Sequence, residues 1–256
     1  MHPTTRPVCR PGSLPSWPPC LRSSLCQHFF CAVPRRYRRG TYRVISTSEP
    51  RGEPSKSGII GLLCAALRRP RSEPVEDLAA LRMGVRVDQE GRLLRDWHTA
   101  GIDGYLRASG DIERKTVITS TRYYLSDAAY LVGLEGSDHA FLHQLQDALN
   151  NPRWMLYLGR KSCPPSASPN LPDSLSDLNL ETALATYPWI SRNRRRYDEL
   201  KAASPRGLRL VIEDPVSGSI VRNDHPLSFE KGKRQFSYRR TTINWVDWPA
   251  FSEEML

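Results

Sequence analysis

No run of eighteen or more apolar residues occurs in this 256-residue sequence, so no segment of it is built to cross a membrane as a helix. An uninterrupted apolar leader is missing as well. Pro3, Pro7, Pro11, Pro15, Pro18 and Pro19 break every candidate stretch near the start, and a cytoplasmic location is expected. Cysteine is scarce, six in all, and no two stand in a C-x-x-C or paired Cys/His spacing, which removes the common zinc signatures. Without a leader, a disulfide-stapled secreted module is not expected either. No Ser/His/Asp arrangement and no carboxylate pair stands out. No metal, nucleotide or other cofactor is therefore expected.

The first fifty residues lack lysine altogether and hold a single acid, Glu49, against eight arginines, four of the six cysteines and eight of the 21 prolines. Most of the formal net charge of +10 therefore sits in that segment, and the remainder is close to neutral. A high overall charge is thus weak evidence for a nucleic-acid partner. Residues 1–50 show no helical or strand period before "TYRVIS" at 41–46. They read as an atypical, basic, Pro/Cys-rich segment, either disordered or translated out of frame. Ordinary patterns begin near Glu53, and residues 51–250 read as one domain.

What is there begins with "EPSKSGIIGLLCAALRR". Ile59, Leu62, Leu63, Ala66 and Leu67 fall on one helical face, and Ser55 stands where an N-cap belongs. The Lys56-Ser57 pair invites comparison with a phosphate-cradling loop. That loop requires glycine immediately before the lysine and again six residues before it, where this chain has Ser55 and Pro50. A nucleotide cofactor is not expected, yet free N–H groups at a helix start beside Lys56 suit another anion, such as a nucleic-acid phosphate.

Further along, "EPVEDLAALRM" predicts a short helix, and "GVRVDQEGRLLRDWHTA" predicts a hairpin turning at Gln89-Glu90-Gly91. "TVITSTRYYLSDAAYLVGL" predicts one or two strands, "SDHAFLHQLQDALNN" a helix capped by Ser137 or Asp138, and "RWMLYLG" a buried strand. A helical patch at 178–186 and the strands "LRLVIED", "SIVRN" and "RQFSYRRTTINWV" follow. The order is mixed α+β. Arg160, Lys161 and Ser162 after the apolar run suit a phosphate clamp, with Cys163 as a buried small residue. Trp97 and His98, beside Arg95, form an aromatic and imidazole pair that can stack on an unpaired base or pack in a core. Phe236, Tyr238 and Arg240 alternate on one strand face, either as an aromatic-basic platform or as core with a charged rim.

From the "PSKSGIIGLL" helix onward the sequence resembles the CasD family, the subunit of type I-E Cascade that holds the five-prime handle of CRISPR RNA. The blocks "LRMGVRVDQEGRLLRDWHTA", "TSTRYYLSDAAYLVGL", "RWMLYLGRKSCPPS" and "VRNDHPLSF…RQFSYRR" follow in the family's order, over roughly residues 53–247. The resemblance implies a ferredoxin-like, RNA-recognition-type domain with a β-hairpin thumb inserted at about 99–121. It implies a non-catalytic RNA-binding subunit whose partners are the crRNA handle and the backbone and large Cascade subunits. Lys56, Ser57, Arg95, Trp97, His98, Arg122, Arg160, Lys161 and Ser162 are the residues expected to meet RNA. Family members start with a first strand and a Q-S-W-G-like segment that residues 1–50 do not contain, so either "TYRVIS" substitutes or the product is unstable. The alternative is a metal-independent endoribonuclease using His98, Lys115 and Tyr123, since related subunits of another subtype process precursor RNA.

Overall fold

The computed structural model describes residues 27–33, 52–107, 109–158, 163–166, 168–191 and 193–251. In chain order these form β1 (Gln27–Val33), α1 (Lys56–Leu67), α2 (Glu76–Ala80), β2 (Arg82–Gln89), β3 (Arg92–Ala100), β4 (Tyr105–Leu106), β5 (Ile112–Glu113), β6 (Ile118–Ser126) and β7 (Ala129–Gly136). They continue with α3 (His139–Asn150), β8 (Asn170–Ser176), α4 (Leu180–Thr186), α5 (Arg194–Ala203), β9 (Leu208–Glu213), β10 (Ile220–Ser228) and β11 (Gln235–Val246). Seven strands make an antiparallel sheet in the order β10-β11-β9-β2-β7-β1-β8. The α+β reading therefore stands.

Two apolar layers enclose this sheet. On one face Met83, Val85 and Val87 of β2 meet Ile59, Leu62 and Leu63 of α1 and Leu142, Leu145 and Leu149 of α3. On the other, Leu131, Leu210 and Ile212 meet Leu180, Ala183 and Leu184 of α4. Strand alternation sends successive side chains of β2 to opposite layers, which is why it is buried along nearly its whole length. Each such leucine or valine contributes about 1.5–3 kcal/mol when fully buried. Gly84 lets α4 approach closely, because a Cβ there would lie 2.5 Å from Leu184 Cδ1.

Local chemistry explains the helix ends. Ser55 Oγ accepts from Gly58 N–H at 3.2 Å, and Asp138 Oδ1 accepts from Phe141 N–H at 3.0 Å, so Asp138 rather than Ser137 caps α3. Arg86, fully buried on the α4 side, pairs with Asp88 and donates to the carbonyls of Leu184, Tyr187 and Pro188. It thereby satisfies the carbonyls that the end of α4 leaves open.

Three expectations are corrected. The turn at Gln89-Glu90-Gly91 exists, with Gly91 at φ +80°, but β2 and β3 do not pair. Instead β2 runs between β7 and β9, while β3 leaves the sheet with β6 as a separate two-stranded ribbon. Residues 153–158, the described part of "RWMLYLG", are not a strand. Arg153 and Trp154 give their N–H groups to the carbonyls of Ala66 and Ala65 at 2.9 and 3.1 Å, closing the end of α1 instead of joining a ladder. The strand comes later, as β8, an edge position where Pro172 costs no central ladder bond. Finally, residues 27–33 form a strand between β7 and β8, so the first fifty residues are not without a strand ahead of "TYRVIS". The "TYRVIS" segment itself lies outside the described residues.

Candidate nucleic-acid interface

The start of α1 proves to be closed by the protein's own carboxylates. Lys56 is 1 % exposed, and its ammonium sits 2.9 Å from both oxygens of Glu213. Its backbone N–H donates to Asp224 at 3.0 Å, and Asp224 also accepts from Arg239 at 2.6 and 3.0 Å. Glu213 accepts from the Met83 N–H at 3.1 Å too, and Glu53 pairs with Arg209 and Arg222 at 2.8 and 2.7 Å. Burial draws the Lys56 pKa down against the pull of Glu213. The anion that this helix start attracts is therefore a carboxylate from β9 or β10, not an external phosphate. This corrects the reading of Lys56 as an RNA contact. Ser57, half-buried, has its Oγ 3.4 Å from Ser55 Oγ. Sequence reasoning missed Glu213, Asp224 and Arg239. The one available signal was acids in strands that otherwise alternate apolar and basic residues.

The β3–β6 ribbon is the opposite case. Its register pairs Arg95 with Tyr123 and Trp97 with Thr121 on one face, and Asp96 with Arg122 and His98 with Ser120 on the other. Trp97 is 63 % exposed, and the Arg95 guanidinium carbon lies 4.4 Å from the centroid of its ring. This cation–π stack holds a flat aromatic and a positive charge together at the surface. On the other face His98 Nε2 lies 3.1 Å from the Tyr124 hydroxyl and 2.8 Å from Asp96 Oδ2. Both contacts fall on one ring nitrogen, so they orient the imidazole without forming a relay through it. Arg122 is the backbone partner of Asp96 in the ribbon.

Beyond the ribbon arms, β4 and β5 form a small hairpin, and Arg114 and Lys115 there are exposed. At the ribbon's root a cavity of about 300 Å³ is lined by Arg92, Arg196, Gln89, Asp127 and Asn193, among others. Arg92 was not among the predicted contacts, since nothing in "EGRLLRD" marks it apart from its neighbours.

The proposed nuclease trio does not converge. Tyr123 projects from the Arg95 face and His98 from the opposite one, so no single phosphate can lie between them in this arrangement. Arg160, Lys161 and Ser162 lie outside the described residues. Cys163, their neighbour, is fully buried, as a small packing residue should be.

An antiparallel α+β body carrying an aromatic-cationic ribbon is the class of protein that these features define. Residues 38–242 match the family model described as CRISPR-associated protein (Cas_Cas5), and the chain belongs to that family. CRISPR system Cascade subunit CasD of Escherichia coli (strain K12) is 32 % identical over 124 residues, 43 % of this chain and 54 % of that protein. The match thus spans about half the length of that relative. A solved structure titled "Crystal structure of Cas protein" superposes with a TM-score of 0.61 at 37 % identity, over 87 % of this chain and 95 % of the other. A chain of a "CRISPR RNA-guided surveillance complex" does so with a TM-score of 0.62 at 26 % identity, over 87 % and 91 %.

Proposed function

We propose that this protein is a non-catalytic, cytoplasmic subunit of a Cascade complex in CRISPR antiviral defence. It holds the five-prime handle of the CRISPR RNA and contacts the backbone and large subunits. In this reading the sheet and its helices are a ferredoxin-like, RNA-recognition-type body, and the outer part of the β3–β6 ribbon, at about 99–121, is the thumb. The observation that carries it is membership of the CRISPR-associated family together with likeness to a chain of an RNA-guided surveillance complex over most of both chains.

The chemistry of the ribbon supports the same reading. Single-stranded RNA is held by stacking its bases on aromatic faces and by cations along its phosphates. Trp97 supplies the first and Arg95, stacked on its ring, the second, while His98 and Arg122 are further proposed contacts. Arg160, Lys161 and Ser162 remain proposed contacts. Binding is tested by titrating labelled handle RNA with the full chain at several salt concentrations. Trp97→Ala should weaken binding about tenfold with little change in salt slope. Arg95→Ala should reduce that slope by about one. Unchanged affinity and slope in both variants would overturn the assignment. Repeat RNA incubated with the protein should remain whole; a 2′,3′-cyclic phosphate end would instead establish cleavage.

A further inference from the structure

The β10–β11 end of the sheet carries a second feature that the ribbon does not absorb. Phe236, Tyr238 and Arg240 occupy alternate positions of β11, so all three project from one face. Arg239, between them, points the other way into the buried pair with Asp224. Tyr238 is 71 % exposed and Phe236 42 %, and Arg240 is exposed with no carboxylate partner among the described residues. The backbone positions of Phe236 and Tyr238 are about 7 Å apart along the strand, and the Phe236 ring meets Phe229 edge to face at 6.5 Å between centroids. Their surroundings are basic: the turn leading into β11 supplies Lys231, Lys233 and Arg234, all exposed, against one acid, Glu230, which lies 3.5 Å from Lys233. Val221, opposite Arg240, adds an exposed aliphatic side chain, but the rim beside it is basic and not the neutral rim that an apolar protein partner would need. Two aromatic side chains on one face beside cations that outnumber the acids suit unpaired bases joined by phosphates.

We propose that this face of β10–β11 is a second, sequence-tolerant binding surface for single-stranded nucleic acid, separate from the ribbon. Tyr238 and Phe236 stack successive bases, and Arg240 and Arg234 meet the phosphates. No base edge is read, so binding is insensitive to sequence and falls steeply with salt.

The test uses the full chain and fluorescein-labelled pyrimidine 12-mers, one of RNA and one of DNA, with bromouridine or bromodeoxyuridine for photo-crosslinking. Tyr238→Ala should weaken binding of at least one 12-mer about tenfold, and Tyr238→Phe should restore it, because stacking does not need the hydroxyl. Arg240→Gln should lower the salt slope by about one. Crosslinked peptides should contain Tyr238 or Phe236, and the two arms tell RNA from DNA as the natural strand. Affinities for handle RNA are measured on the same variants. Loss with Trp97→Ala but not with Tyr238→Ala keeps the two surfaces distinct, so either assignment can fail without the other. Unchanged 12-mer affinity in Tyr238→Ala and Arg240→Gln, with no crosslink on β11, overturns the proposal. So does a Tyr238→Ala variant that binds both strands normally but no longer assembles with other Cascade proteins, which would make the face a protein contact.

Discussion

Lys56 shows how one residue can carry the chemistry of a binding site and yet serve the fold. A buried ammonium facing a buried carboxylate has given up its water shell, and the attraction between the two offsets that loss. Lys56→Ala leaves Glu213 uncompensated and should cost about 3–5 kcal/mol of stability, read from urea unfolding. Its folded fraction should bind RNA with an unaltered salt slope, since no phosphate contact has been lost. His225 sits in the same lattice. Burial, with Lys56 and Arg239 nearby, draws its pKa below the ordinary 6.5, and Glu213 and Asp224 oppose them only in part. The unfolded chain then binds this proton more readily than the folded one, so stability is full above pH 6.5 and falls as the pH drops from there toward the depressed folded value. Urea midpoints between pH 7.5 and 5 should fall less in His225→Gln than in the parent. Burial acts in the reverse sense on Cys64, whose thiol is pushed up to about 11. Peptide mapping after alkylation at pH 8 should find Cys64 and Cys163, both buried, unmodified until denaturant is added.

Among the elements, the ribbon and α1 differ in what their burial permits. The β3 and β6 arms pair with each other, and their outward residues Leu93, Trp97 and Ile118 are exposed. The ribbon is held to the body near its root, where Tyr124 and Leu125 are buried and Tyr123 packs against the core. Replacing residues 101–117 by a two-residue Asn-Gly turn should therefore leave the melting temperature within a few degrees of the parent, measured by circular dichroism, while weakening handle-RNA binding. The helix α1 allows no such change. Ile59, Ile60, Leu62 and Leu63 are all buried, so it is enclosed on more than its predicted stripe, and Leu63→Ala should cost about 2–5 kcal/mol.

At the scale of the whole molecule, the layers on the two faces of the seven-stranded sheet are fastened to it by charge as well as by packing. Arg86 and Asp88 fasten β2 to the chain at 184–190 on one side, and the Glu53, Lys56, Glu213, Asp224 and Arg239 lattice fastens α1 to β9, β10 and β11 on the other. A third cluster of Trp189, Tyr197 and Leu208, with Trp248 and Phe251 packed against it, secures α5. Arg86→Met removes the donor to three carbonyls and strands Asp88 in an apolar setting. A loss of about 3–5 kcal/mol is expected, with far-ultraviolet dichroism at low temperature unchanged.

Much of this was legible in the residues alone. The 3.6-residue stripe of α1, its Ser55 cap, a cap at Ser137 or Asp138 and the alternation of Phe236, Tyr238 and Arg240 in β11 are local effects of sterics and hydrogen bonding, and they persist in the structure. The family resemblance, carried by short blocks in order, also came from sequence. Pairing was not legible. Gln89-Glu90-Gly91 looks the same whether the flanking strands fold onto each other or part company, because only partners distant in the chain decide which ladder closes. Nor was polarity of environment legible: Lys56 and Arg95 are alike as residues. Glu213, 157 positions away, makes one a buried structural cation, while the open ribbon leaves the other at the surface. Local order follows from neighbouring residues, whereas the burial of a charge depends on what the rest of the chain brings against it.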